Sequence, residues 1–93
     1  MAIFAVIAQP GQNAEKLPGA LTDAFPLNLS IGPGVWLVAG ATTAQEVSSR
    51  IGITPDLAAG PGMVLEVASY FGRANPAYWS WIRTNWEAGA ISG

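Results

Sequence analysis

Carboxylates, hydroxyls and aromatic rings are the side chains with which this chain of 93 residues could do chemistry. It has six Asp or Glu residues, one lysine, and neither cysteine nor histidine. Disulfides, thiolate–zinc sites, cysteine nucleophiles and histidine general bases are therefore excluded. A metal site would need oxygen ligands, which suit magnesium, calcium or manganese. No such ligand set stands out, and we expect neither a metal site nor a cofactor.

Catalysis by a single acidic or hydroxyl side chain finds little support in the sequence. Glu66 is the one carboxylate within an otherwise apolar stretch, where burial would favour a general-base role. A solvated Glu66, or one paired with an arginine at a dimer interface, is the favoured interpretation. A serine nucleophile needs a base beside it, and none is arranged beside Ser48, Ser49 or Ser69. The chain is therefore predicted to be non-enzymatic.

The aromatic residues concentrate near the end of the chain, in the stretch "ANPAYWSWIRTNW" at 74–86. Asn75 followed by Pro76 is typical of a helix start, and the helix is expected to run to Glu87 or Ala88. On a helical wheel of about 100° per residue, one apolar stripe is wide enough for a core-facing helix and consists of Trp79, Ile82 and Trp86. Tyr78 and Trp81 widen the aromatic arc to about 160°.

Three interpretations of this surplus arc remain open. The favoured one is that the helix is buried and the extra aromatic residues contact a partner subunit. The second is a ligand box built on Trp81 and Tyr78. The third is a stacking platform for nucleic acid, which needs nearby cations, and only Arg73 and Arg83 are close in sequence. The candidate ligand or partner surface comprises Tyr78, Trp81, Asn85, Tyr70 and Trp36.

The composition predicts self-association. Hydrophobic residues make up 51% of the chain and charged residues 11%, against about 25% charged residues in typical soluble domains. So small a domain must hide much apolar surface, and a homodimer is expected. A net charge of −2 with four scattered cations argues against nucleic-acid binding.

The apolar start "MAIFAVIAQP" is too short to span a membrane and lacks the basic region of a signal peptide. We therefore expect no membrane association. Together with the absence of cysteine, this predicts a cytoplasmic protein.

Residue patterns predict seven elements joined by Gly- and Pro-rich turns. Asn13 is the expected N-cap of the first helix, which Pro18 should either delay or kink. The second helix begins with a capping box at Thr43 and Glu46 and ends at Gly52. The predicted strands are 2–8, 27–31, 35–39 and 63–71, and the predicted helices are 14–25, 44–51 and 75–88.

The order β-α-β-β-α-β-α predicts an α+β protein with the ferredoxin-like βαββαβ sandwich and an additional C-terminal helix. Residues 1–93 form one domain, with a core at 1–71 and the Trp-rich helix at 75–88. The strands are apolar on both faces, unlike those of a sheet with one solvated face. The second face should therefore be covered by the C-terminal helix, by a sister subunit, or by both.

Residues 1–71 resemble small ferredoxin-like proteins related to the CRISPR adaptation-complex nuclease and to certain antitoxin endoribonucleases. The resemblance rests on the apolar first strand, the polar-capped helix, the "VWLV" strand, and "TTAQEVSSRI" before an apolar fourth strand. It implies a homodimer. In the nuclease branch an Asp ends the first strand and serves the metal site, whereas this chain has Ile7-Ala8-Gln9 there. Metal-dependent cleavage therefore does not carry over with the fold.

Three functions follow in order of preference. The first is a small, non-enzymatic, dimeric interaction module of a bacterial cytoplasm. The second is a dimer that holds a small apolar or aromatic ligand between the sheet and the Trp-rich helix. The third is a variant nucleic-acid-processing protein that lacks the first-strand Asp and depends on Glu66 or Asp56.

Overall fold

A computed structural model describes the backbone of residues 2–69, 72–73 and 75–92, and side chains as far as Trp86. A single 3-10 turn, Ala14–Lys16, precedes the first helix. The strands are β1 (Ala2–Ala8), β2 (Asn28–Gly32), β3 (Val35–Gly40) and β4 (Gly62–Glu66). The helices are α1 (Leu17–Ala24), α2 (Ala44–Ile51) and α3 (Pro76–Ser92).

The four strands form one antiparallel sheet in the order β2-β3-β1-β4. In the centre of the sheet, Ala5 of β1 lies opposite Leu37 of β3 and Leu65 of β4. The described part of the chain is thus an α+β structure with a four-stranded antiparallel sheet and three α helices. This arrangement is compatible with the predicted ferredoxin-like fold.

One face of the sheet packs against α1 and α2. Because side chains alternate along a strand, Phe4, Val6 and Val38 all point to this face. They meet apolar side chains from both helices, since each helix has an apolar stripe. We call this group the helix-pair core: Phe4, Val6, Leu17, Leu21, Phe25, Val38, Val47, Ile51 and Ala59.

The opposite face of the sheet packs against α3. Here Ile3, Leu37 and Ala39 form a second buried cluster with Ile82 of the helix. Three tryptophans of α3 are half-buried around this cluster, which we call the α3 core. The sequence predicted a cover for this face and left its source open. In the structure, the C-terminal helix of the same chain covers part of it.

The local signals at α2 are confirmed. The Thr43 hydroxyl oxygen accepts a hydrogen bond from the Glu46 backbone N–H at 3.2 Å, which is the N-cap half of the predicted capping box. Gly52 ends the helix with a left-handed φ of 88°. Glu46 and Arg50 form an exposed ion pair at 3.4 Å, one turn apart.

The prediction that Asn13 caps the first helix is wrong. Asn13 has a left-handed φ of 64° and makes no side-chain capping bond. Its side-chain amide instead donates to the backbone carbonyl of Leu57 at 3.0 Å, which ties two loops together. The regular helix begins later, at Leu17, and Pro18 lies in its first turn, where proline is tolerated.

Several element boundaries also differ from the predictions. Strand β2 lies one residue later than expected, and β4 ends at Glu66 instead of continuing to residue 71. Tyr70 and Phe71, predicted in that strand, lie outside the described residues. Helix α3 continues to Ser92, through most of the tail that was expected to fray.

Substitution of Gly60 tests the packing of its loop against the backbone of Ala14. Gly60 has a φ of +88°, and a Cβ placed there would lie 2.7 Å from the Ala14 Cα and 2.9 Å from its N. Because both atoms belong to the backbone, Gly60→Ala should lower the free energy of unfolding by about 1–3 kcal/mol. Urea unfolding followed by tryptophan fluorescence would measure the change.

Gly19→Ala is the matched control, because a Cβ at Gly19 in α1 meets nothing within 4 Å. Alanine favours a helix over glycine by up to about 1 kcal/mol, so this variant should be more stable than the native chain. Equal effects of the two substitutions would contradict the loop packing described here.

Candidate functional site

Helix α3 carries most of the predicted site, and its start is set locally. The Asn75 side-chain oxygen accepts a hydrogen bond from the Ala77 N–H at 2.9 Å. The Asn75 backbone carbonyl accepts another from the Tyr78 N–H at 2.9 Å. These bonds satisfy donors that a helix start would leave unpaired. The predicted start at Asn75 and Pro76 is therefore confirmed.

The buried side of α3 is centred between Ile82 and Asn85, each only 8% exposed. On the helical wheel Trp79 and Trp86 lie to one side of this line, and Trp81 lies to the other. All three indole rings are half-buried against the α3 core. The division into core and surplus therefore differs from the prediction, because Trp81 packs on the same cluster as Trp79 and Trp86.

Asn85 is the buried polar residue of this face. Its side-chain amide donates to the backbone carbonyl of Trp81 at 2.8 Å, one turn earlier in the same helix. A short polar side chain can remain inside a packed interface when the backbone satisfies it in this way. The bond brings Asn85 and Trp81 together and gives Asn85 a structural role in the helix.

The structure separates the remaining predicted site residues. Tyr78 is half-buried on α3. Trp36 lies opposite Val6 in the sheet and packs against the helix-pair core, on the far side from α3. Tyr70 lies outside the described residues. The predicted surface therefore holds Tyr78, Trp81 and Asn85 on one helix, without Trp36.

The carboxylates do not converge on this surface. Glu66 lies opposite Phe4, so its side chain is on the helix-pair side of the sheet, where it is exposed. It therefore lacks the burial that made a general-base role attractive. Asp56 accepts a hydrogen bond from the Thr54 hydroxyl within a loop. Among the described residues, no three His, Cys, Asp or Glu side chains lie together in a group that could hold a metal ion.

Sequence reasoning missed a second feature, an apolar strip on the α3 side of the sheet. Val35, Ile7 and Met63 lie side by side on β3, β1 and β4, and Leu65 is two residues farther along β4. Met63 is 43% exposed and Leu65 50% exposed, while Val35 and Ile7 are half-buried. None of the four belongs to either packed core of the described residues. We call these four residues the uncovered strip.

The uncovered strip exists because of where α3 lies. The helix packs against β1 and β2 and over Leu37 and Ala39 of β3, and among the described residues it makes no packing of that extent with β4. Alternation along "MVL" at 63–65 assigns Met63 and Leu65 to one face. Which part of that face stays open depends on the position of α3, and no local sequence signal gives that position.

Comparison with family models, with curated proteins and with solved structures found no match for this chain. The likeness to the CRISPR-related and antitoxin proteins is therefore still an expectation from sequence pattern. In the described part of the chain, no helix is both long and apolar enough to cross a membrane.

The packing of α3 can be tested at Ile82. Ile82→Ala removes a buried side chain from the α3 core, and such truncations cost about 2–5 kcal/mol. We expect a lower free energy of unfolding, measured by urea titration with circular dichroism. Thr84→Ala is the control, because Thr84 is exposed on the same helix. If both variants unfold like the native chain, α3 does not rest on the sheet through Ile82.

Proposed function

We propose that this chain is a small, non-enzymatic interaction module that works as a homodimer in a bacterial cytoplasm. The observation that supports it best is the uncovered strip. Contiguous apolar side chains left exposed on a soluble domain often mark a protein contact surface. With charged residues at only 11% of the chain, such a strip has few charged neighbours to keep it in solvent.

We also propose that the fold is ferredoxin-like. The element order βαββαβ and the strand order β2-β3-β1-β4 support it, since both split βαβ units then place their strands on either side of an antiparallel neighbour. Helix α3 is the additional element, and it takes the face that α1 and α2 leave open. In the proposed fold, the sheet face opposite α1 and α2 holds both α3 and the contact surface.

Packing beneath α3 favours a protein partner over a small ligand. The ligand hypothesis needs space between the sheet and the Trp-rich helix. Ile82 fills the centre of that layer, against Ile3, Leu37 and Ala39. The indole rings that would stack on a ligand already pack against the same cluster. The apolar side chains with the most exposure lie elsewhere, at Met63 and Leu65 on β4.

Nucleic-acid processing ranks third because of charge and carboxylate placement. The net charge is −2, which opposes contact with phosphates. Glu66 and Asp56, the two residues on which cleavage would depend, occur on β4 and on the loop before it. Each is exposed. The uncovered strip therefore supports a protein interface better than these two exposed carboxylates support a cleavage site.

The oligomeric state of the intact chain tests the proposal. Size-exclusion chromatography with light scattering should give twice the 9.6 kDa of one chain at about 10–100 µM, a range that detects weak self-association. A strictly monomeric chain across that range would overturn the dimeric module. Cleavage of RNA or DNA in the presence of magnesium or manganese, lost in Glu66→Gln, would favour the third function instead.

A further inference from the structure

We infer that the partner is a second copy of this chain, joined edge to edge through β4 in an antiparallel register centred on Val64. This inference rests on the proposed function and names the surface and the partner of that dimer. It predicts one continuous sheet of eight strands, with both copies of α3 on the same face.

Strand β4 has outward-facing backbone groups available for such pairing. At its two ends, the Gln9 N–H donates to the Pro61 carbonyl at 3.0 Å, and the Val67 N–H donates to the Ile3 carbonyl at 2.8 Å. Odd-numbered residues of this segment therefore turn their backbone polar groups toward β1, because these groups alternate in direction along a strand. The even-numbered residues Gly62, Val64 and Glu66 turn theirs outward. In the described part of the chain no further strand pairs with that edge.

The other edge of the sheet is less suited to pairing. The register of β2 against β3 shifts between Ser30 and Gly32. Such irregularities twist a strand and interrupt the regular spacing of its outward groups, which protects an edge from a second chain. Strand β4 pairs with β1 without a shift over its whole length. It also has no lysine or proline between Gly62 and Glu66, two residue types that commonly guard exposed edges.

The register centred on Val64 is self-complementary. It places Val64 opposite Val64 of the partner subunit, and Gly62 opposite Glu66 of the partner subunit. All five residues of β4 are then paired, and the two carboxylates lie at opposite ends of the interface. A register centred on Glu66 would place like charges directly opposite each other, which is destabilising.

The same register also covers the β4 part of the uncovered strip, Met63 and Leu65. Met63 lies opposite Leu65 of the partner subunit, and Leu65 lies opposite Met63 of the partner subunit. Directly opposed side chains share a face and lie within contact distance. The β4 ends of the two strips therefore meet across the two-fold axis, where the most exposed apolar side chains of each copy bury each other.

Lysine substitution tests the location of the contact. Leu65→Lys places a charge at the centre of the paired edge, where lysine blocks pairing. We expect self-association at least about tenfold weaker, measured by light scattering over a concentration series. Leu65 is half exposed, so folding should be retained, and circular dichroism would verify it. Leu27→Lys is the matched control: Leu27 is 38% exposed, and its carbonyl accepts from the Ala39 N–H beside β2, at the other edge of the sheet.

Single cysteines test the register, because the native chain contains none. Val64→Cys should form a disulfide-linked dimer under mild oxidation, since directly opposed residues have Cα atoms about 5.5 Å apart. Glu66→Cys is the control. In the Val64 register its partner lies four positions away, about 13 Å along the strand, too far for a disulfide. Because Glu66 is exposed, random collisions between chains would cross-link Glu66→Cys more readily than Val64→Cys. Preferential cross-linking of Val64→Cys would therefore report the register.

The outcomes separate this inference from the function on which it rests. A dimer that Leu65→Lys dissociates, that Leu27→Lys leaves intact, and that Val64→Cys cross-links supports the inference. A dimer that tolerates Leu65→Lys and cross-links equally well at Glu66→Cys overturns the inference and leaves the dimeric module standing. An intact chain that is monomeric at about 100 µM overturns both, and the strip would then serve a strand of another protein.

Discussion

The structure depends on a central strand that is apolar on both faces. In β1, Phe4 and Val6 point to one side of the sheet and Ile3 to the other, and all three are fully buried. Water must be excluded from both faces, so a two-layer arrangement with one solvated face would leave this strand half exposed. Helices α1 and α2 cover one face, and α3 covers the part of the other face around Ile3. The C-terminal helix is therefore part of the domain's core packing and not an appendage.

A difference in width between the two helical layers explains the uncovered strip. A helix is about 10–12 Å across, whereas strands lie about 4.8 Å apart, so a single helix covers about two to three strands. On the helix-pair side, two helices suffice for four strands. On the other side, α3 packs over β2, β3 and β1, and the Met63 and Leu65 side chains of β4 are left open. An exposed apolar region follows from covering a four-stranded face with one helix, whatever purpose that region serves.

Elements with strong local signals could be predicted from the sequence, and those set by distant contacts could not. Neighbouring residues determine the bounds of β1, the N-cap at Thr43 and the start of α3 at Pro76. Asn13 failed as a cap because its amide bonds a carbonyl 44 positions away. The helical wheel predicted which apolar residues of α3 share a face. It did not predict the orientation of the helix on the sheet, which buries Asn85 beside Ile82. The alternation in "VWLVA" already assigned Trp36 to a different face from Leu37, so its separation from α3 follows once that face is known.

Glu66 is relevant both to the search for catalytic residues and to the proposed dimer. As the one carboxylate in an apolar strand it suggested acid–base catalysis, yet it is exposed at the end of β4. An edge strand with apolar residues and no charge could pair in several registers, or with any exposed strand. A single carboxylate at one end reduces this freedom, since the register that brings its two copies directly opposite each other is unfavourable. The same charge lies opposite a glycine, without a side chain, in the register centred on Val64. In the proposed dimer, Glu66 therefore acts against a competing register, a role that needs its charge and no catalytic partner.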